Sequence, residues 1–219
     1  MEYDRIKDYL LSIENEADDD LCKMRIYAQE NDVPIVRAET ESFLRTLRFM
    51  KKPKRILEIG TAIAYSTIVM ARADETGESQ IVTIESYDKR VPLALENLKK
   101  AGLIGNEEGK DRVRLIHGDA TKVLKELNGS FDFIFLDAAK GQYINWLPDI
   151  MRLMTSGSVL ISDNVLQDNT VMESRYTVDR RDRTTHDRMR KFLRELKKNP
   201  RLMSSIVPIG DGVSLSIMK

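Results

Sequence analysis

Residues 55–73 read RILEIGTAIAYSTIVMARA, and this stretch decides the fold. Its first part, Arg55–Ile59, is a short apolar run of strand length, whereas residues 65–73 have the length and spacing of a helix. Gly60 stands between them, where the chain has to turn. A strand that passes through a glycine turn into a helix predicts a unit of a parallel sheet.

The same alternation continues along the chain. Further strand-like runs lie at residues 80–84, 113–116, 131–136 and 159–162. Helical stretches between them lie at 89–101, 120–127 and 142–154. Regular alternation of this kind predicts a doubly wound sheet with helices on both faces.

The C-terminal part predicts a different ending. A last helix at residues 185–198 is followed by two runs, 204–208 and 213–217, and the Gly-Asp-Gly between them is a hairpin turn signal. We therefore expect an α/β fold: a Rossmann-like, seven-stranded, mostly parallel sheet with an antiparallel last strand. The helical patterns in residues 1–50 are too short to form their own core. We expect them to pack on the sheet or on a second subunit, within a single domain of residues 1–219.

Bulk properties exclude some classes of protein. The 219 residues carry a formal net charge of zero, with 42% hydrophobic and 32% charged residues. No apolar run approaches the roughly 18 residues of a membrane span, and the N-terminus lacks a signal-peptide pattern. With the single cysteine Cys22 no internal disulfide is possible, so we expect a cytoplasmic protein without a membrane partner. Lys and Arg crowd residues 175–201, where a polyanion could bind, although a solvated surface is the simpler interpretation.

Candidate cofactor residues follow the first three predicted strands, because ligands of such sheets bind at the carboxyl ends of strands. Gly60 would let the backbone approach a ligand, and Ser66 lies in the first turn of the next helix, where it can bind a carboxylate. A three-glycine dinucleotide pattern is absent, which favours a nucleoside with a small charged tail. Glu85 is placed to accept hydrogen bonds from ribose hydroxyls, and Asp119 could bind an adenine amine. The alternatives are a plain packing turn at Gly60 and helix-capping roles for both acids.

The candidate chemical centre lies at the ends of the fourth and fifth strands, which should be neighbours. Asp137 follows the fourth strand, and Asp163 and Asn164 follow the fifth. Two carboxylates and an amide oxygen suit Mg²⁺. Near such a cation, Lys140 should have a lowered pKa and could accept the proton of an acceptor hydroxyl. The alternatives are turn-forming or capping residues and a surface lysine.

At these positions the chain resembles the metal-dependent O-methyltransferases, which include catechol and caffeoyl-CoA enzymes. The motifs that carry the resemblance are LEIGTAIAYS, the acid of TIES, HGDA, FLDAAKGQY and ISDNVL. The resemblance implies S-adenosylmethionine as cofactor, Mg²⁺ or Mn²⁺ on Asp137, Asp163 and Asn164, and Lys140 as general base. It also implies a set of cofactor contacts: Val36, Glu58, Gly60, Ser66, Glu85, Asp119, Ala120 and Asp137. The family usually has glycine where this chain has Ala64, so a positive φ there would strain the loop.

Within that family, the chain is most similar to the bacterial tRNA 5-hydroxyuridine methyltransferases. VPIV, DAAKGQY, SDNVL, PIGDG and the Arg-rich segment after SDNVL carry this resemblance. It implies methylation of the wobble 5-hydroxyuridine to 5-methoxyuridine, the tRNA anticodon region as partner rather than DNA, and a homodimer.

The residues themselves give this acceptor weaker support. The segment between the metal residues and the last helix should border the acceptor mouth, and Arg175, Arg180 and Arg181 lie in it. Tyr143 could stack on an extruded base, as could Trp146 and Tyr176, although Tyr143 and Trp146 would also fit a core. Two alternatives remain: an enzyme that methylates catechols or related phenols, and a non-catalytic RNA-binding protein on the same scaffold. Intact metal and base positions argue against the last.

Overall fold

The sheet of the computed structural model follows the predicted alternation of strands and helices. The structure describes residues 9, 12, 13, 18–105, 110–167 and 169–219. Within them the strands are β1 (Arg55–Ile59), β2 (Gln80–Glu85), β3 (Val113–His117), β4 (Phe131–Leu136), β5 (Met154–Ser162), β6 (Leu202–Val207) and β7 (Val213–Met218). The helices of the same residues are α1 (Asp19–Glu30), α2 (Ala38–Lys51), α3 (Tyr65–Arg72), α4 (Val91–Lys100), α5 (Ala120–Glu126), α6 (Tyr143–Arg152) and α7 (Arg183–Lys198). The first predicted helical pattern, around residues 3–13, falls mostly outside the described residues.

The strand order confirms the predicted fold class. The described strands form a seven-stranded sheet in the order β3-β2-β1-β4-β5-β7-β6. Strands β1 to β5 pair with one another in parallel, whereas β7 is antiparallel to both β5 and β6. The chain order reverses between β1 and β4, so a crevice opens at their carboxyl ends, where ligands of such sheets bind.

Both faces of the sheet are covered, which explains the continuous apolar runs of its inner strands. One core cluster joins Ile56 and Phe133 to the buried side chains of α1 to α4. The other joins Leu57 and Ile134 to those of α5, α6 and α7. None of the described helices is long and apolar enough to cross a membrane.

Helix ends differ from the predicted bounds by a few residues. The helix predicted at residues 142–154 ends at Arg152, and β5 begins at Met154, well before the predicted start at residue 159, because Met154 already pairs with Phe131 of β4. Pro34 lies in the irregular link between α1 and α2.

Candidate functional site

A cavity of about 1290 Å³ lies at the carboxyl ends of β1, β2, β3 and β4. The link between α1 and α2 forms one part of its wall, and the segment before α7 forms another. Most of the residues predicted from the sequence line it: Val36, Gly60, Ser66, Glu85, Asp119, Ala120, Asp137, Lys140, Trp146 and Asn164. Three others, Glu58, Asp163 and Tyr143, lie behind its wall, and the predicted RNA residues Arg175, Arg180 and Arg181 do not line it either.

The loop after β1 is shaped by backbone conformation. Gly60 has φ 105°, and a Cβ atom there would lie 2.0 Å from the carbonyl oxygen of Asp137. Glycine is therefore required by the close approach of Asp137, the residue after β4, and Gly60 also lines the cavity, where a ligand could approach its backbone. Ala64, fully buried, has φ 68°, so the predicted strain is present. A left-handed alanine costs on the order of 1 kcal/mol relative to glycine.

Glu85 holds this loop from the end of β2. Its carboxylate accepts hydrogen bonds from the backbone N–H of Ala62 at 2.7 Å, of Ser86 at 2.9 Å and of Tyr87 at 2.8 Å. A carboxylate accepts about four hydrogen bonds, so room for about one further donor remains. One ribose hydroxyl can therefore donate to Glu85 directly. If both ribose hydroxyls donate, as predicted, one of them has to share an acceptor position with a backbone N–H.

The prediction that Glu58 contacts the cofactor is wrong, because this side chain is fully buried and does not line the cavity. Its carboxyl group accepts hydrogen bonds from the hydroxyls of Ser66 at 2.6 Å and Thr83 at 2.6 Å, and also from Thr67. Glu58 thus fixes the first turn of α3 through the hydroxyls of Ser66 and Thr67. Ser66 does line the cavity, but its hydroxyl already has a partner.

The buried Glu58 should make folding stability depend on pH. Burial raises the pKa of Glu58 from 4.5 to about 7, against the opposing effect of the hydroxyl hydrogen bonds. Between these pH values the native carboxyl keeps a proton that the unfolded chain has released, so stability falls as pH rises and levels off above 7. We expect Glu58→Gln, which cannot ionise, to lack this slope and to gain roughly 3 kcal/mol relative to wild type between pH 4.5 and 8.

Urea unfolding at the two pH values measures this difference. The control is Glu96→Gln, since Glu96 is exposed on α4. Parallel pH profiles for wild type and Glu58→Gln would show that Glu58 does not titrate in the predicted window.

Asp119 and Ala120 begin α5 at the end of β3. The carboxylate of Asp119 accepts a hydrogen bond from the N–H of Thr121 at 2.8 Å, which lowers its pKa. Asp119 is therefore the N-cap of α5 and also part of the cavity wall, so the two interpretations of the sequence are compatible. His117 is exposed, and its Nε2 lies 2.8 Å from the carboxylate of Asp88.

The candidate metal residues meet because β4 and β5 are paired neighbours. Leu136 lies opposite Ser162 in the sheet, so the next residues, Asp137 and Asp163, stand side by side. Burial, followed by the charge of Asp137, raises the pKa of Asp163 well above its usual range. Asn164 has φ 54°, and its amide nitrogen donates to the carboxylate of Asp211 at 3.3 Å.

These residues fit a hard divalent cation. Two carboxylates this close repel each other unless a positive charge or a proton intervenes. In the described part of the chain, no three His, Cys, Asp or Glu side chains form a metal-binding group, so a cation here would also need the amide oxygen of Asn164. Oxygen ligands of this kind suit Mg²⁺ or Mn²⁺.

Lys140 lies three residues beyond β4, in a short 3₁₀ turn, Lys140–Gln142. Its ammonium group is 2.5 Å from Asp137 Oδ1 and 3.2 Å from the hydroxyl of Tyr143. Burial opposes the charged form, but Tyr143 and Asp137 outweigh it and raise the pKa of Lys140. The predicted lowering concerns a site that holds a cation; without one, the carboxylate of Asp137 pairs with the ammonium.

Tyr143 cannot stack on a nucleobase, contrary to the prediction, because its side chain is fully buried at the start of α6. Its ring packs edge-on against Phe192, with centroids 5.5 Å apart. Its hydroxyl lies 3.1 Å from the carbonyl oxygen of Leu136 and 3.3 Å from that of Asp163, and it accepts a hydrogen bond from Lys140. Tyr143 thus ties the tips of β4 and β5 to Lys140.

The arginines near the mouth have different surroundings. Arg183 and Arg190 donate to backbone carbonyls of residues 171–178, and Arg188 donates to the carbonyl of Gly141. Arg183 and Arg190 thus hold the segment before α7, and Arg188 holds the loop after β4, so all three are less available to RNA than the sequence suggested. Arg175, Arg180 and Arg181 are all exposed; Arg175 pairs with Asp187 at 3.0 Å and Arg181 with Asp182 at 3.4 Å.

Several cavity residues were not predicted from the sequence. His186, in the first turn of α7, is 2% exposed, and neither ring nitrogen has a hydrogen-bond partner among the described residues. Arg37 and Asp211 lie at opposite ends of the chain but form an ion pair of 3.0 Å at the cavity. The one local signal for them was the Gly-Asp-Gly turn, which had indicated only a hairpin.

Comparison with known proteins agrees with this geometry. A family model described as O-methyltransferase matches residues 12–219. The chain is 30% identical over 181 residues to the catechol O-methyltransferase of Niastella koreensis, which covers 80% of this chain and 79% of that protein.

Two solved structures are similar over almost their whole length. The SAH-bound methyltransferase of Podospora anserina is 27% identical with a TM-score of 0.86, over 99% of this chain and 95% of that chain. The O-methyltransferase TomG of Streptomyces achromogenes, in complex with SAM, is 26% identical with a TM-score of 0.84, over 100% of this chain and 99% of that chain. Because the family model spans both walls of the cavity, this chain belongs to the O-methyltransferase family and is an S-adenosylmethionine-dependent O-methyltransferase.

Proposed function

We propose that this enzyme uses a divalent cation, Mg²⁺ or Mn²⁺, to methylate the 5-hydroxyl of 5-hydroxyuridine at the wobble position of tRNA. The observation that carries the chemistry is the position of Asp137, Asp163 and Asn164 at two paired strand ends, with Lys140 on the same cavity. The predicted homodimer is part of the same proposal, since it comes from the same resemblance.

The chain's own residues divide the chemistry between them. Asp137, Asp163 and Asn164 would hold the cation, which supplies positive charge that makes a nearby hydroxyl more acidic. Once the charge of Asp137 is engaged in this way, the interaction that raises the pKa of Lys140 weakens, and Nζ can take the acceptor's proton. The acceptor oxygen then forms a bond to the methyl carbon while the carbon–sulfur bond breaks, its electron pair stays on sulfur, and S-adenosylhomocysteine leaves. Holding both reactants in line accounts for much of the expected rate.

This arrangement suits one class of acceptor: a planar ring with an acidic hydroxyl beside a second oxygen. The 5-hydroxyl of 5-hydroxyuridine stands next to the 4-carbonyl oxygen, and a catechol has two adjacent hydroxyls. Both present two oxygens to one site, so the choice between them depends on the mouth of the cavity.

The segment before α7 supports an RNA acceptor. Tyr176 is 84% exposed on this segment, and Arg180 and Arg181 are exposed a few residues further on. An exposed aromatic ring beside guanidinium groups suits a stacked base and its phosphates.

A small phenolic acceptor is the second candidate. The cavity wall next to this segment is acidic, with Glu173, Asp179 and Asp182 among its residues, and carboxylates disfavour a phosphate backbone. The similarity to a catechol O-methyltransferase supports the same candidate.

Nucleoside mass spectrometry of cellular tRNA separates the two candidates. Cells without the gene should lose 5-methoxyuridine and accumulate 5-hydroxyuridine, and the wild-type gene, but not one encoding Asp137→Asn, should restore the modification. An unchanged 5-methoxyuridine level in cells without the gene would reject the tRNA acceptor and leave the phenolic one.

The exposed arginines give a second test of the RNA acceptor. Replacing Arg180 and Arg181 together with Ala should weaken binding to a tRNA anticodon stem-loop and flatten its dependence on salt by roughly 1 to 2 units of log–log slope. Fluorescence anisotropy between 50 and 200 mM salt measures this slope. The control is Arg152→Ala on α6, whose guanidinium binds the carbonyls of Leu124 and Leu127 at the end of α5. Equal slopes for the double variant and wild type would remove these arginines from the RNA site.

A further inference from the structure

Asn164 poses a problem that its position alone does not solve. An amide has an oxygen that binds cations at one end and an NH₂ group that does not at the other, and rotation about the last bond of the side chain exchanges them. The backbone places the side chain of Asn164 at the cavity, but it does not decide which end faces the cation site.

Asp211 distinguishes the two ends. Its carboxylate only accepts hydrogen bonds, and Oδ2 lies 3.3 Å from the amide nitrogen of Asn164. The same Oδ2 lies 3.0 Å from the guanidinium of Arg37. Only the NH₂ end of Asn164 can donate to this atom, so that end faces Asp211 and the amide oxygen is left facing the cavity. The guanidinium of Arg37 donates to the same atom.

Hydrogen bonds and close packing fix the backbone of Asp211. The N–H of Leu166 donates to the carbonyl of Asp211 at 2.9 Å, and the N–H of Val165 donates to that of Gly212 at 2.9 Å. A Cβ atom at Gly212 would lie 2.3 Å from the side chain of Leu166, so only glycine allows the hairpin to pack this closely. The turn between β6 and β7 is therefore bonded to the two residues that follow Asn164.

We propose that Asp211 is a positioning residue that orients the amide of Asn164 so that its oxygen faces the cation, with Arg37 pinning the accepting atom. This inference rests on the proposed metal dependence, since it concerns a ligand of that cation. Residues behind metal ligands typically contribute about 10- to 100-fold to metal affinity.

The test measures Mn²⁺ binding to the full-length protein with saturating S-adenosylhomocysteine, so that no turnover is involved. Electron paramagnetic resonance reports free Mn²⁺ directly. We expect Asp211→Ala to raise the Kd for Mn²⁺ about tenfold. Asp211→Asn should raise it much less, because Arg37 selects the oxygen end of the new amide, which still accepts from Asn164.

The pair of variants separates orientation from charge. Equal losses in Asp211→Ala and Asp211→Asn would mean that Asp211 acts only through its negative charge, and unchanged affinity in Asp211→Ala would mean that it has no role; either overturns the proposal. Failure of the wild-type protein to bind Mn²⁺ would instead refute the metal dependence itself. Glu96→Gln is the control, and Asp211→Ser replaces Asp211→Ala if thermal unfolding shows that the latter does not fold.

Discussion

Asp137→Asn is expected to lower the single-turnover rate of methyl transfer on the order of 10³-fold. Asparagine keeps the shape of the side chain but removes its charge. That charge is needed twice, because Asp137 is a candidate cation ligand and is also the partner of Lys140 at 2.5 Å. The loss should therefore exceed that of an ordinary hydrogen bond while the fold is retained.

Rapid-quench measurement with saturating S-adenosylmethionine and an anticodon stem-loop containing 5-hydroxyuridine gives this rate, and catechol serves as the acceptor if RNA is inactive. Glu96→Gln should behave as wild type. A rate for Asp137→Asn within a few-fold of wild type would show that neither function of the carboxylate matters to the chemical step.

Lys140→Met is expected to slow the same step by about 10²- to 10⁴-fold, the usual contribution of a general base. The affinity for S-adenosylmethionine, measured by calorimetry, should change little, because the role assigned to Lys140 is toward the acceptor. The rate of the variant should go on rising with pH, because solvent must then take the proton.

Lys140→Arg tests whether charge alone is sufficient. The guanidinium keeps the positive charge beside Asp137 but does not release a proton in this pH range, so we expect it to be as slow as Lys140→Met. An active Lys140→Arg enzyme would show that Lys140 acts only as a positive charge.

The sequence predicts the positions of residues that depend on the order of the strands. A residue directly after a parallel strand lies at the carboxyl edge of the sheet, so Asp137, Asp163 and Asn164 are placed once β4 and β5 are recognised as neighbours. Glu85 and Asp119 follow from the same rule.

The errors concern polar side chains that are satisfied inside the protein. Glu58 belongs to the motif that carries the resemblance, but three hydroxyls from α3 and β2 bury it below the loop. Tyr143 has an aromatic ring that could stack on a base, but its hydroxyl forms hydrogen bonds at the ends of β4 and β5. Such partners are set by tertiary packing and leave no local pattern in the sequence.

The remaining contacts join residues that are far apart in the sequence, so no local pattern predicts them. Arg37 and Asp211 meet because the hairpin after β6 returns to the link between α1 and α2. Likewise, a run of arginines does not reveal which guanidinium groups bind carbonyls, as Arg183 and Arg190 do, and which remain in solvent.

Anomalous diffraction from crystals grown with Mn²⁺ and S-adenosylhomocysteine tests the central claim most directly. We expect a single strong manganese peak within about 2.5 Å of oxygens from Asp137, Asp163 and Asn164, with Lys140 moved away from Asp137. A structure with the sulfur compound bound, no manganese at these three side chains and the Lys140–Asp137 pair intact would contradict the claim that a divalent cation activates the acceptor.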